Sequence, residues 1–522
     1  MKKNTIMVGT LTLISLILGF GRESYIAYLF GSTQFTDAFY VSMIIPDIVA
    51  GWIGYTLINA LIPVLKQETE TSKLSSEKLI STAFNYVLLI SALLAVAVFM
   101  FSEQIVGSIA PNFNDIQMST GTEMLKIMSV AIIFSALSGL LSGINNTFEQ
   151  YFFSSLVGIF YNGFFFVSLL MLNNWLGIDS LAYGLLVGVL SRCIIQIIPL
   201  LRTRILKFKL QLWHPSLPTV GKAMMPIFLS QAFSQINQIV DRILASGLSS
   251  GQITNLNYAS KLGQLPTGLI GGTIATTMYI QFVKSANNNN LNEMNRLYSK
   301  GLMWIIFLGV LVSTGLILYG DSLVSIFYYH GKFTLNDAIQ TTGLLQLYGI
   351  FSFFYMMLPI SLQFFFSFHG GKRVMISSIT GVIVNVTLGF ILVHHYGVVG
   401  LVIANGTAVA SNFSVLFIMA MRKVRINPIK NIYAVIMRIL PGGIVIVIML
   451  STWKFAFPID FSTNNLVLLV RGGMALFIVG LALILLSKYW KSENEILRTI
   501  ANMMNNKKII TLTKKNKKKV EI

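Results

Sequence analysis

Charge is what this sequence has least of. Of 522 residues only 11% are charged, while 54% are hydrophobic. Soluble domains carry about 25% charged residues, so a water-soluble chain of this length is excluded. Cysteine is almost missing as well. The single Cys193 rules out a disulfide framework and a cysteine metal cluster. The five histidines are scattered, without the H-E-x-x-H spacing that binds zinc on a helix. No cluster of carboxylates and no large polar domain is present to do bond chemistry.

Apolar runs fill the space these absences leave. The mean hydropathy is +0.72, and runs long enough to cross a bilayer recur from end to end. The periodicity predicts an all-α, polytopic membrane protein with about 14 transmembrane helices, the first near 5–30, the second near 37–65 and the last near 465–487. Lys2 and Lys3 precede the first run, but no small-residue cleavage site ends it, so it reads as a retained helix.

The basic residues give a topology. With the N-terminus in the cytoplasm, 28 of the 38 Lys and Arg fall in cytoplasmic segments. Only Lys332 and Lys454 fall outside. This is the positive-inside pattern, and it places both termini in the cytoplasm. Seven of the charges behind the net +19 sit in the tail KKIITLTKKNKKK, residues 507–519. No aromatic or folded module accompanies these lysines, so anionic lipid is the expected partner and nucleic acid is not.

The chain repeats itself. A shift of 220 residues sets Arg22 on Arg242, Gly31 on Gly251, Pro46 on Pro266, Gly51 on Gly271 and Gly177 on Gly397. A shift of 223 sets SSLVGIFYN (154–162) on SSITGVIVN (377–385). We read two pseudo-symmetric six-helix lobes, 1–202 and 220–421, joined by a cytoplasmic linker, 203–219. Two further helices within 422–487 and the basic tail 488–522 follow. Each repeat holds an even number of helices, so the lobes share one orientation, and transporters place substrate between such lobes.

Eight basic residues fall within or at the edge of spans: Arg22, Lys126, Arg192, Lys222, Arg242, Lys261, Arg438 and Arg471. An arginine near a span's centre costs about 2.5–3.5 kcal/mol on insertion scales, so it faces a wet cavity or a partner. Arg22, Asp37, Arg242 and Lys261 open or occupy the first two helices of the two lobes. Together they form an expected anion site, suited to a phosphate or pyrophosphate. Each arginine has an acidic neighbour, Glu23 or Asp241. Adjacent residues point about 100° apart, so neither pair is a ready-made ion pair. Pro46 and Pro266 read as interior kinks, and with Gly51 and Gly271 as hinges. Close helix packing would equally explain the glycines.

Three stretches carry a resemblance. LGFGRESYIAYLFGSTQFTDAFYVSMIIPD (18–47), QIVDRILASGLSSGQITNLNYASKLGQLPTGLIG (238–271) and HGKFTLNDA (330–338) resemble the MurJ family of lipid II flippases. That family lies within the multidrug/oligosaccharidyl-lipid/polysaccharide exporter superfamily. The resemblance implies fourteen helices in a V-shaped pair of lobes in a bacterial plasma membrane. It implies transport of an undecaprenyl-pyrophosphate-linked saccharide, and glycan polymerases as possible partners. Arg22 and Asp37 match residues of the family pattern. Lys261 stands where the family usually has arginine, and Leu16, Ala50 and Gly51 stand at or near positions where it often has arginines. No organic cofactor is implied. A sodium site, or coupling to the membrane potential, is; Asp241 and Asn385 match part of that site, while Gly389 lacks its second carboxylate. The alternative reading is a cation-coupled drug exporter of the same superfamily.

Overall fold

The computed structural model describes residues 2–203, 205, 209–368, 370–423, 444–456, 467, 470 and 473–474. The basic tail, Arg438, Arg471 and nearly all of the expected last helix lie outside the described residues. Within them every regular element is helical. In chain order these are α1 (Lys2–Phe30), α2 (Gln34–Ser42), α3 (Ile44–Thr71), α4 (Lys73–Met100), α5 (Ser102–Ile109), α6 (Asp115–Thr147) and α7 (Tyr151–Leu176). A short 3-10 turn, Gly177–Asp179, precedes α8 (Ser180–Arg202). Then come α9 (Leu217–Ala245), α10 (Gln252–Asn287), α11 (Leu291–Leu318), α12 (Gly320–Phe327), α13 (Leu335–Phe366), α14 (Gly371–Tyr396) and α15 (Val398–Lys423). A last described helix, α16, covers Ile444–Ala456.

The repeat read from the sequence reappears in the element lengths. Helices α1 and α9 both have 29 residues, α4 and α11 both 28, α5 and α12 both 8, and α7 and α14 both 26. The matched glycines also agree in backbone: Gly31 and Gly251 have φ of 62° and 87°, Gly177 and Gly397 of 53° and 56°. These are left-handed values at which a Cβ is strained. Helix starts are set locally. Thr33 and Thr36 form a capping box at α2, Asn114 and Gln117 one at α6, and Ser72 caps α4.

One expected feature takes a different form. The second span is not a single helix kinked at Pro46. It breaks at Met43 into α2 and α3, and Pro46 is the third residue of α3. In a first turn the missing N–H has no intrahelical partner to lose, so Pro46 sits there at little cost. Pro266 does lie inside a continuous helix, α10.

The chain divides into two compact units. One comprises Met1–Leu262, Leu323–Tyr348 and Gly371–Leu416; the other Gly263–Ser322, Gly349–Gly370 and Phe417–Ile522. In the first, α6 packs against α3, α4 and α8. Their facing residues, among them Leu61, Leu79, Ile80, Leu140 and Ile144, form a core at 1% exposure or less. In the second, Phe282 and Phe365 each meet Phe364 edge to face, Tyr298 lies tilted against it, and the Tyr298 hydroxyl meets Ser361 Oγ at 2.8 Å. A Cβ on Gly271 would lie 2.9 Å from the Met356 Cα. Gly271 is therefore where the backbones of α10 and α13 cross closely.

Candidate functional site

Two of the paired arginines, with Lys261, meet at one cavity. It encloses about 300 Å³ in the first compact unit and is lined by Arg22, Tyr40, Asp47, Tyr161, Arg192, Arg242 and Lys261, among others. Helix α1 brings Arg22, α8 Arg192, α9 Arg242 and α10 Lys261.

Glu23, 3% exposed, lies just behind this wall. Its Oε1 accepts from Arg22 Nη2 at 2.5 Å and from Lys261 Nζ, and its Oε2 accepts from the Tyr40 hydroxyl at 2.8 Å. The neighbouring residues Arg22 and Glu23 thus do pair, against the 100° argument. The guanidinium stem is long enough to fold back across that angle, and in a buried setting no water competes for it. Arg22 also lies over the Tyr161 and Phe165 rings, 5.2 and 4.7 Å from their centroids. Lys261 lies 5.6 Å from the Tyr40 centroid.

Arg192 was visible in the sequence as an intramembrane base but carried no repeat signature. Asn412 stands at its shifted position. The structure gives it a cavity position, shared with Asp47, and a neutral hydrogen-bond partner. Its Nη2 donates to Ser135 Oγ at 2.8 Å, its guanidinium lies 5.4 Å from the Tyr161 centroid, and its Nε has no hydrogen-bond partner. Arg242 Nη1 is likewise buried without one. Asp47 opens into the cavity and is the carboxylate on its lining. Four cations thus line the cavity against one lining carboxylate, Asp47, with Glu23 behind the wall.

Asp37 is placed elsewhere. It is 1% exposed and absent from the cavity lining. Its Oδ2 accepts from the Gly251 N–H at 2.6 Å, and its Oδ1 from the Thr254 N–H at 2.8 Å and the Thr254 hydroxyl at 2.7 Å. It therefore ties α2 to the start of α10, where free N–H groups and the helix dipole favour an anion. Close backbone crossings surround this tie. A Cβ on Gly31 would lie 2.5 Å from Lys332 O, one on Gly251 2.6 Å from Ser32 O, and one on Gly331 2.3 Å from Tyr28 O. The HGKFTLNDA stretch thus contributes backbone packing to this end of the bundle.

Asp241 and Asn385 are brought together, as the resemblance implied, with a third residue the sequence reading missed. Asp241 Oδ1 accepts from Asn385 Nδ2 and Oδ2 from Asn405 Nδ2, both at 3.1 Å. Asn385 Oδ1 is buried without a partner. The orphan amide oxygen beside one carboxylate is the hard-oxygen chemistry a sodium ion takes. Gly389 adds none, and a Cβ there would lie 2.8 Å from Leu244 Cδ1. Among the described residues no group of three or more His, Cys, Asp or Glu could hold a metal. Of the expected hinge residues, Pro46 lines the cavity, Gly51 lies within α3, and Pro266 and Gly271 lie within α10 in the second compact unit.

The sequence profile described as lipid II flippase MurJ matches residues 26–470. A probable lipid II flippase MurJ of Buchnera aphidicola subsp. Schizaphis graminum is 28% identical over 463 residues, covering 87% of this chain and 90% of that protein. The lipid II flippase MurJ of Burkholderia cenocepacia is 24% identical over 425 residues, covering 79% and 82%. Among solved structures, a lipid II flippase MurJ in an inward closed conformation superposes with a TM-score of 0.77 at 23% identity, covering 93% of this chain and 99% of that one. An inward-facing multidrug resistance MATE transporter superposes at 0.64 with 13% identity, over 80% and 94%. The last two likenesses concern the fold alone. With the profile spanning most of its length, the chain belongs to the lipid II flippase MurJ family, a family of multi-pass membrane transporters rather than enzymes.

Proposed function

We propose that this protein moves an undecaprenyl-pyrophosphate-linked saccharide, lipid II or a related cell-envelope repeat unit, across the bacterial plasma membrane by alternating access. One observation carries the reading: a cavity lined by four cations and one carboxylate. A pyrophosphate diester carries two negative charges at neutral pH, and arginine forks match its oxygens. Arg192 and Arg242 present guanidinium nitrogens without hydrogen-bond partners. Lys261 and Arg22 Nη2 are engaged by Glu23, while Arg22 Nε and Nη1 are left without hydrogen-bond partners as well. No bond is made or broken. The cavity desolvates the charged head while the polyprenyl tail stays in lipid.

Movement bends the helices near Pro266 with Gly271, and near Pro46 with Gly51. The Asp37 tie marks the end that must part to release the saccharide outward, toward glycan polymerases. Both termini, with the basic tail on anionic lipid, lie in the cytoplasm. Sodium, held by Asp241, Asn385 and Asn405, is the coupling ion. Sodium-dependent transport that Asp241→Asn makes sodium-independent would support this last point, and unchanged dependence would refute it.

The test of the main reading is replacement of the resident flippase in a depletion strain, with lipid II exposure on the outer leaflet as readout. The wild-type chain restores exposure and Arg22→Glu abolishes it while still inserting. A chain that restores a surface polysaccharide but not lipid II would assign a related carrier. Efflux of cationic dyes would favour the drug-exporter alternative, but a cationic cavity repels such cargo.

A further inference from the structure

The segment joining α8 to α9 runs as a strap along α4. Asn85 Nδ2, on α4, donates to the carbonyl oxygens of Lys209 at 2.8 Å and Gln211 at 3.0 Å. Ten residues nearer the start of α4, Ser75 Oγ meets His214 Nε2 at 3.1 Å. The Ser216 N–H donates to His214 Nδ1 at 3.1 Å, so that nitrogen is unprotonated and Nε2 carries the proton toward Ser75. The Ser75 and Ser216 hydroxyls both donate to Glu68, Ser75 at 2.6 Å. The strap is thus pinned at two points about 15 Å apart along the helix.

Between the pins the backbone is held, also by Gln211 Nε2 donating to the Trp213 carbonyl at 2.9 Å, and the apolar side chains are exposed. Leu210, Leu212 and Trp213 are 87%, 56% and 64% exposed. The apolar exposed side of α4 begins at Leu88 and Leu89, one turn beyond Asn85, and runs to Met100. The strap's side chains therefore continue the lipid-facing belt of α4 toward its N-terminal end. Exposed cations, Lys73, Lys78, Arg202 and Lys209, accompany them. Tryptophan with aliphatic neighbours and basic groups is the composition of a membrane interface.

We propose that residues 209–213 are an interfacial anchor seated at the headgroup–acyl boundary of the cytoplasmic leaflet, with anionic lipid as its partner. Asn85 provides the clamp, Leu210, Leu212 and Trp213 the apolar contact, and the flanking cations the phosphate contact. The assignment to the cytoplasmic leaflet rests on the topology in the proposed function; the depth of the strap does not.

Cys193 is the one cysteine, so spin labels can be placed singly in a Cys193→Ala background. The full chain carrying Leu210→Cys or Leu212→Cys is reconstituted in phosphatidylcholine vesicles with and without phosphatidylglycerol. Leu89→Cys serves as lipid reference and Thr71→Cys as water reference. The labels at 210 and 212 should match the one at 89 in high oxygen and low nickel-chelate accessibility, and phosphatidylglycerol should reduce their mobility. Nickel-chelate access equal to that at 71 overturns the anchor, whether the strap then faces water or a soluble protein. No response to phosphatidylglycerol overturns the anionic-lipid part. Asn85→Ala should narrow the spectrum of the label at 210; an unchanged line shape overturns the clamp.

Discussion

Arg22 and Arg242 occupy matched positions in the two repeats, and both line the cavity. Their acidic neighbours behave oppositely. Glu23 follows its arginine and turns toward Arg22, Lys261 and Tyr40. Asp241 precedes its arginine and turns toward Asn385 and Asn405. One residue before or after, on a helix, is a rotation of about 100° to either side. The first repeat thereby uses its acid to hold cations at the cavity wall. The second sends its acid to a separate cluster of amides. A single step in sequence order splits one repeated pattern into a cation-rich wall with its acid inside it and a separate carboxylate–amide cluster.

The largest way to break this contrast is Glu23→Gln. It leaves Arg22 and Lys261 buried without their shared anion. Breaking a buried ion pair from one side costs about 3–5 kcal/mol, so thermal unfolding in detergent should drop steeply. Asp241→Asn, which gives up one of two acceptor oxygens but strands no cation pair, should cost less in the same assay. Equal losses would mean that the two acids play one role. Next comes Asp37→Asn, which replaces an acceptor of three hydrogen bonds by a group with one acceptor oxygen. A loss of about 1–3 kcal/mol is expected, again as a fall in unfolding temperature. Arg192→Gln then sharpens the comparison within the cavity, because the hydrogen bond of Arg192 goes to a neutral hydroxyl, Ser135, and not to a carboxylate. Stability should hold, while binding of an undecaprenyl-pyrophosphate saccharide, read by native mass spectrometry, should weaken about ten-fold or more, since a charge-assisted hydrogen bond is worth about 1.5–3 kcal/mol.

The smallest effect lies in the linker. The Ser216 and Ser75 hydroxyls hold the Glu68 carboxyl below the ordinary carboxylate range. A group lowered in the folded state stabilises above its unfolded value and loses that contribution as pH falls through the folded one. Solvent screens this partly open site, so Glu68→Gln should cost no more than about 0.5 kcal/mol at neutral pH. The difference from wild type should vanish in acid, measured by unfolding across a pH series.

Much of this was legible in the residues. Apolar length marked the helices, and the 220-residue offset marked Arg22 with Arg242 and both pairs of left-handed glycines. What stayed hidden had physical reasons. The break at Met43 carries no glycine or proline of its own; the nearby Pro46 drew attention one turn too far. Arg192 escaped because symmetry was the guide and Asn412 is its counterpart. Asp37 looked like a cavity acid because two of its three partners, the N–H groups of Gly251 and Thr254 at the start of α10, are backbone atoms that a residue-type search does not see. The Arg22–Glu23 pair escaped because angular spacing ignores how far a guanidinium can reach.

The glycine crossings at Gly31, Gly251 and Gly331 bear on how that end of the bundle lets go. Contacts made through bare backbone have no flexible side chain to stretch as the chains part. Dispersion attraction fades within about an ångström of separation, so a slight parting forfeits much of it at once. Such a seam behaves like a press-stud rather than a spring: closed or undone, with little resting place between.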